Sequence, residues 1–170
     1  MTATAQERIL TAKVTTPTDR EFRIERTFNA PRAEVWQALT EPELLRQWWG
    51  RGNRLVIERL EVERGGHWRF IEHANGREEG FEGRFREVKA PERLVQTFDW
   101  DGTPGHVAVT TFVLEDLGDG RTKLITTSLF YTTVERDGMM SAGMERGVNQ
   151  SYAALDRVLV GMTAAKGSAP

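Results

Sequence analysis

The sequence predicts an α+β domain: a curved antiparallel sheet of seven strands packed around one long C-terminal helix. Three observations carry this reading. Hydrophobic residues alternate with a period of two from Phe22 to Phe28, the mark of a strand with one buried face. The same period returns near Arg54 and persists for about seventy residues, interrupted only by turn chemistry. From Thr132 onward it gives way to helical spacing that lasts to about Met162.

The first strand stops at Asn29-Ala30-Pro31. Pro31 suits a first helical position, and Val35, Trp36 and Leu39 share one helical face. Thr40-Glu41-Pro42 restarts the register for a second short helix, whose stripe of Leu44, Leu45, Trp48 and Trp49 ends at Gly50. Six strands are then expected near 54–61, 67–73, 80–88, 93–100, 106–116 and 121–130. Their breaks are Gly65-Gly66, Asn75-Gly76, Ala90-Pro91-Glu92, the run Asp101 to Gly105, and Gly118-Asp119-Gly120, all residues that accept positive φ or preset a turn. The last helix opens on Thr132-Thr133-Val134-Glu135, which has capping-box spacing. Asp137-Gly138 kinks it or splits off a first turn. Met140, Met144, Val148, Tyr152, Leu155, Leu159 and Met162 form its apolar face. At about 1.5 Å per residue, Met139 to Met162 spans roughly 35 Å, enough to cross most of the sheet. Gly143 and Gly147 on this helix either admit a neighbouring backbone or leave open space beside it.

Composition bounds the rest. The chain has 170 residues, 39% hydrophobic and 28% charged, with a formal charge of −2. That suits one compact core, and a chain of this size needs no disulfide or metal staple. No cysteine is present, which removes thiol chemistry and fits a reducing cytoplasm. Residues 1–21 read as a polar extension without a secretory signal, 22–162 as the domain, and 163–170 as a flexible tail of small residues. No segment approaches the roughly 20 apolar residues of a membrane span. Interleaved acids and bases argue against a nucleic-acid partner. A weak homodimer fits the edge strand that a meander leaves.

Strand parity identifies a candidate lining. Trp68 and Phe70 share a face, as do Phe81 and Phe85 on the next strand; Phe98 and Trp100 continue it, followed by Phe112. This aromatic wall faces Met140, Met144, Val148 and Tyr152 of the helix, and either lines a cavity or fills a solid core. Trp48 and Trp49 sit where a mouth would be, one as buried packing and the other able to gate access. Glu72 has the parity of Trp68 and Phe70, so it either projects into the pocket mouth or ends an exposed strand. In the first case burial would raise its pKa and suit it to proton transfer or to a ligand's polar end. His67 and His73 lie roughly 20 Å apart along one strand at about 3.3 Å per residue, too far to share a metal. Ser128, Ser141 and Ser151 lack a nucleophile motif. No cofactor, metal or catalytic residue is therefore expected.

The local motifs add a resemblance. Phe28-Asn-Ala-Pro31 followed by Val35-Trp36, then Trp48-Trp49-Gly50, Gly65-Gly66, Pro91-Glu-Arg-Leu94, Thr122-Lys-Leu124 and Gly143-Met144-Glu-Arg-Gly147 resembles the heat-shock-protein-ninety ATPase activator-like family. That family belongs to the START-related (SRPBCC) superfamily, which also holds lipid carriers and polyketide cyclases. The resemblance implies a helix-grip fold and a cavity used for different apolar ligands. Three functions follow as expectations. One is binding of a small apolar or amphipathic molecule, with Glu72, Gln96, Asn149 or Tyr152 setting specificity. The second is a cyclase or isomerase using the same cavity. The third is a stress-related co-chaperone-like module that meets a chaperone partner through the outer face of the sheet.

Overall fold

The computed structural model describes residues 11–167. The element order is β1 (Lys13–Thr15), β2 (Glu21–Phe28), α1 (Arg32–Thr40), α2 (Pro42–Trp48), β3 (Arg54–Leu60), β4 (His67–Ala74), β5 (Arg77–Lys89), β6 (Arg93–Trp100), β7 (Ala108–Asp116), β8 (Thr122–Leu129), α3 (Thr133–Ser141) and α4 (Met144–Gly167). One antiparallel sheet runs in the order β1-β2-β8-β7-β6-β5-β4-β3. Bulges between Ile57 and Arg59 and between Phe85 and Glu87 help to curve it. The α+β helix-grip architecture predicted from the sequence is the observed one.

Three details differ from expectation. The sheet has eight strands, because Lys13–Thr15 pairs with Arg23, Ile24 and Glu25. A three-residue strand is too short to show a period. It is held instead by tertiary contacts: Ala12 is buried and its N–H donates to Asn149 Oδ1 at 3.2 Å. Pro31 is the N-cap of α1 and not its first helical residue, whereas Pro42 does open α2. The C-terminal helix is also two helices. The Thr132–Glu135 capping box forms as its spacing implied, but the break falls at Ala142-Gly143, where Gly143 has φ +84°, and not at Gly138. Gly143 therefore ends a helix. Nothing lies within 4 Å of the position its Cβ would take.

The core sits between the concave face of the sheet and α4. Phe22, Ile24 and Phe28 of β2, Leu124 of β8, Leu114 of β7 and Leu94 of β6 are buried there against Leu155, Val158 and Leu159. Tyr152 closes against Phe28, ring centroids 5.3 Å apart, and against Trp48 at 6.5 Å. Trp48 is itself pinned, its indole N–H donating to the Ala38 carbonyl at 2.8 Å. A buried ion pair completes this end. Arg26 reaches both oxygens of Asp156 at 2.6 and 2.5 Å, with its guanidinium 4.4 Å above the Phe28 ring.

Candidate functional site

Inward-facing positions of β4, β5 and β6 bring Trp68, Phe70, Phe81 and Phe98 into one continuous layer, which Trp49, just past α2, joins as a fifth ring. Trp49 stands edge-on to Phe70 at 5.2 Å and to Phe81 at 5.0 Å. Trp68 touches Phe70 at 5.0 Å and Phe98 at 6.1 Å, and Phe81 meets Phe98 at 5.6 Å. The layer is possible because Gly83 lies opposite Trp68. A Cβ there would stand 1.9 Å from the Thr97 carbonyl oxygen and 2.7 Å from Trp68 Nε1, so only glycine admits the indole.

The layer is unevenly covered. Trp68, Phe70 and Phe85 are buried, but Trp49, Phe81 and Phe98 are only half-buried, as is Phe112 on β7. Met139 and Met140 of α3 and Met144 and Val148 of α4 are also half-buried, and α3 has no buried residue. Trp100 lies at the rim: its indole N–H donates to Glu79 Oε2 at 2.7 Å. Trp48 packs in the core, while its neighbour Trp49 joins the rings.

A polar row crosses the concave face beside the rings. Register places Gln96 opposite Thr110 and Thr110 opposite Ser128. The Thr110 and Ser128 hydroxyls are 3.1 Å apart. One step along β8, Thr126 lies 3.5 Å from the Tyr152 hydroxyl, and burial pushes that phenol above its ordinary pKa. The Trp68 indole N–H has no hydrogen-bond partner among the described residues. Apolar walls with a few hydroxyls and amides are the chemistry of a small-molecule site.

Glu72 is buried, at 4% exposure, yet it does not stand alone. Its Oε1 accepts Arg51 Nε at 3.2 Å, Arg51 Nη2 at 2.7 Å and Asn53 Nδ2 at 2.7 Å. The carboxylate therefore serves a guanidinium, and the isolated buried acid that a proton-transfer role would require is absent at this position. Asn149 is likewise committed to the Ala12 N–H.

Arg51 was not visible as a site residue in the sequence. Gly50, Arg51 and Gly52 adopt φ of +71°, +64° and +77°, a left-handed run that costs about 1 kcal/mol at a non-glycine residue. The Arg51 N–H donates to Ser151 Oγ at 2.9 Å. Arg51, Asn53, Asn75, Gln150, Ala153 and Arg157 line a depression of about 460 Å³. The only sequence signal was the arginine flanked by two glycines. A second depression, about 200 Å³, lies around His67, Glu82, Arg84, Thr97, Asp99 and Val107. Both are polar or mixed and distinct from the ring layer. The histidines pair separately: His67 with Glu82 at 2.9 Å, His73 with Glu78 at 3.4 Å, and His106 with Glu135. Among the described residues no group of His, Cys, Asp or Glu could hold a metal ion, and no helix is long and apolar enough to cross a membrane.

A curved antiparallel sheet gripping a C-terminal helix, with an aromatic layer on its concave side, defines a protein of the helix-grip class. Residues 29–160 match the family described as Activator of Hsp90 ATPase homolog 1-like protein, and the chain belongs to that family. Among solved structures it is similar to a protein from Rhodobacter sphaeroides, with 26% identity over 88% of this chain and 98% of that one and a TM-score of 0.80. It is also similar to a protein from Arthrobacter aurescens, with 25% identity over 87% of this chain and 91% of that one and a TM-score of 0.79. A Nitrosomonas europaea protein shares the fold, with 23% identity over 88% and 99% of the two chains and a TM-score of 0.76. Among curated proteins none matches this chain.

Proposed function

We propose that this protein binds a small apolar or amphipathic molecule between the aromatic layer and the seam of α3 and the start of α4. One observation carries the reading. Trp49, Phe81 and Phe98 of the ring layer and Met140, Met144 and Val148 of the helical seam all pack on the core yet are left half-covered. Covering apolar surface stabilises by about 2.5 kcal/mol for each ~100 Å² removed from water, so a guest there would complete contacts that the chain leaves incomplete. Gln96, Thr110, Thr126, Ser128 and Tyr152 supply hydroxyl and amide groups for its polar end, while the pairing of Glu72 with Arg51 disfavours an enzymatic role for that carboxylate.

The test uses N-phenylnaphthylamine, a neutral probe that brightens in apolar surroundings. The folded protein should bind it saturably, and Trp49→Ala combined with Phe81→Ala should weaken binding at least about tenfold. Undiminished binding in the double variant, or none in the wild type, would contradict the proposal. Native mass spectrometry of the purified protein would then weigh whatever guest it retains and separate a fatty acid from a ring compound.

A further inference from the structure

The 460 Å³ depression on the far side of α4 is a different kind of site. Gln150, Ala153 and Arg157 lie on one stripe of α4, and the opposite stripe, with Tyr152, Leu155 and Leu159, faces the core. The other wall comes from the α2–β3 turn and from Asn75 at the tip of the β4–β5 hairpin. The lining thus contains two guanidinium groups and three carboxamides, and no acid.

The two arginines are prepared differently. Arg51 is held from behind: Nε and Nη2 donate to the buried Glu72 Oε1, its backbone N–H donates to Ser151 Oγ, and its left-handed backbone fixes the direction of the side chain. The Nη1 group makes no hydrogen bond among the described residues. The Arg157 side chain has no ion-pair or hydrogen-bond partner among those residues, and its neighbour Asp156 is committed through both oxygens to Arg26. One positive charge is therefore uncompensated at the depression, beside a second guanidinium with an open edge. Guanidinium groups match carboxylate and phosphate in charge and in planar donor geometry. The volume falls within the roughly 300–1,000 Å³ of small-molecule sites, larger than a bare oxyanion fills, and Asn75 and Gln150 offer amides to whatever carries it.

We propose that the groove between Arg51 and Arg157 binds a small organic anion, its carboxylate or phosphate gripped by the two guanidinium groups and its hydroxyl or amide groups facing Asn75 and Gln150. This site does not depend on the apolar seam. It is tested by recording amide NMR spectra of the whole protein during separate titrations with inorganic phosphate and with succinate. At least one anion should shift the amides of Arg51, Gly52, Asn75 and Gln150 saturably at millimolar concentration, and the one that does identifies the headgroup. Arg157→Gln should weaken that binding about tenfold, while Arg64→Gln, the same charge change in the β3–β4 loop, should leave it unaltered. Neither anion saturating, or both substitutions weakening it equally, would overturn the proposal. Binding of N-phenylnaphthylamine should be unchanged in Arg157→Gln, which keeps the fate of this site separate from that of the apolar one.

Discussion

The two halves of the contact between helix and sheet are built from similar residue types and end in different states. Toward the C-terminal half of α4, Tyr152, Leu155, Val158 and Leu159 are buried, and Arg26 and Asp156 bolt β2 to the helix. Toward the N-terminal half, Met144 and Val148 are half-buried, and the chain turns away at Gly143 into α3, which buries nothing. The first half uses branched and aromatic side chains in full contact, the arrangement that contributes most per residue to stability. The second uses methionines, which adapt to irregular partners, and these stay partly uncovered, as do the rings of Trp49, Phe81 and Phe98. One half is closed, and the other leaves its apolar side chains half-covered.

The largest effect expected to separate them is in stability. Leu155→Ala should cost about 2–5 kcal/mol and Met144→Ala less than about 1 kcal/mol, as read from denaturant midpoints; equal losses would erase the distinction. Next, Asp156→Ala removes the carboxylate that accepts two hydrogen bonds from the buried Arg26 guanidinium. Because Asp156 is 32% exposed, the cost should fall near the lower end for broken buried pairs, about 2–3 kcal/mol. Trp49→Ala should cost about 1 kcal/mol of stability yet remove most N-phenylnaphthylamine binding. The smallest effect is in pH dependence. Burial raises the Tyr152 phenol above its ordinary value of 10.0, so the folded chain keeps a proton that the unfolded chain loses. Stability from this group is fully present below pH 10 and falls as pH rises above it. Tyr131→Phe leaves Tyr152 as the only phenol, and its absorbance should then change only well above pH 10, with unfolding.

Much of this was legible in the sequence because it was periodic. The alternation of Trp68, Phe70 and Glu72, and of Phe81, Gly83 and Phe85, gave the inward face of β4 and β5, and the turn residues placed the hairpins within a few positions. The seam of Met140, Met144, Val148 and Tyr152 followed from helical spacing, though not its division at Gly143, since Asp137-Gly138 resembles a break more than Ala142-Gly143 does. Lys13–Thr15 was hidden because three residues carry no period and are anchored through the preceding Ala12, whose N–H is held by Asn149, far along the chain. Arg51 and Arg157 were hidden for a related reason. They are 106 positions apart, and only the left-handed turn at Gly50-Arg51-Gly52 and the course of α4 bring them to one depression. Parity put Glu72 on the face of Trp68 and Phe70 but left open whether it is buried or ends an exposed strand; it is buried, and parity could not reveal the guanidinium that pairs with it.

The five methionines allow the central claim to be read directly. Met139, Met140 and Met144 lie along the open half, and Met162 lies near the end of the closed one. With methyl-labelled methionine, titration with N-phenylnaphthylamine should shift the first three signals saturably and leave Met162 in place. Absence of saturation at Met140 and Met144, or an equal response at Met162, would contradict a binding surface confined to the open half.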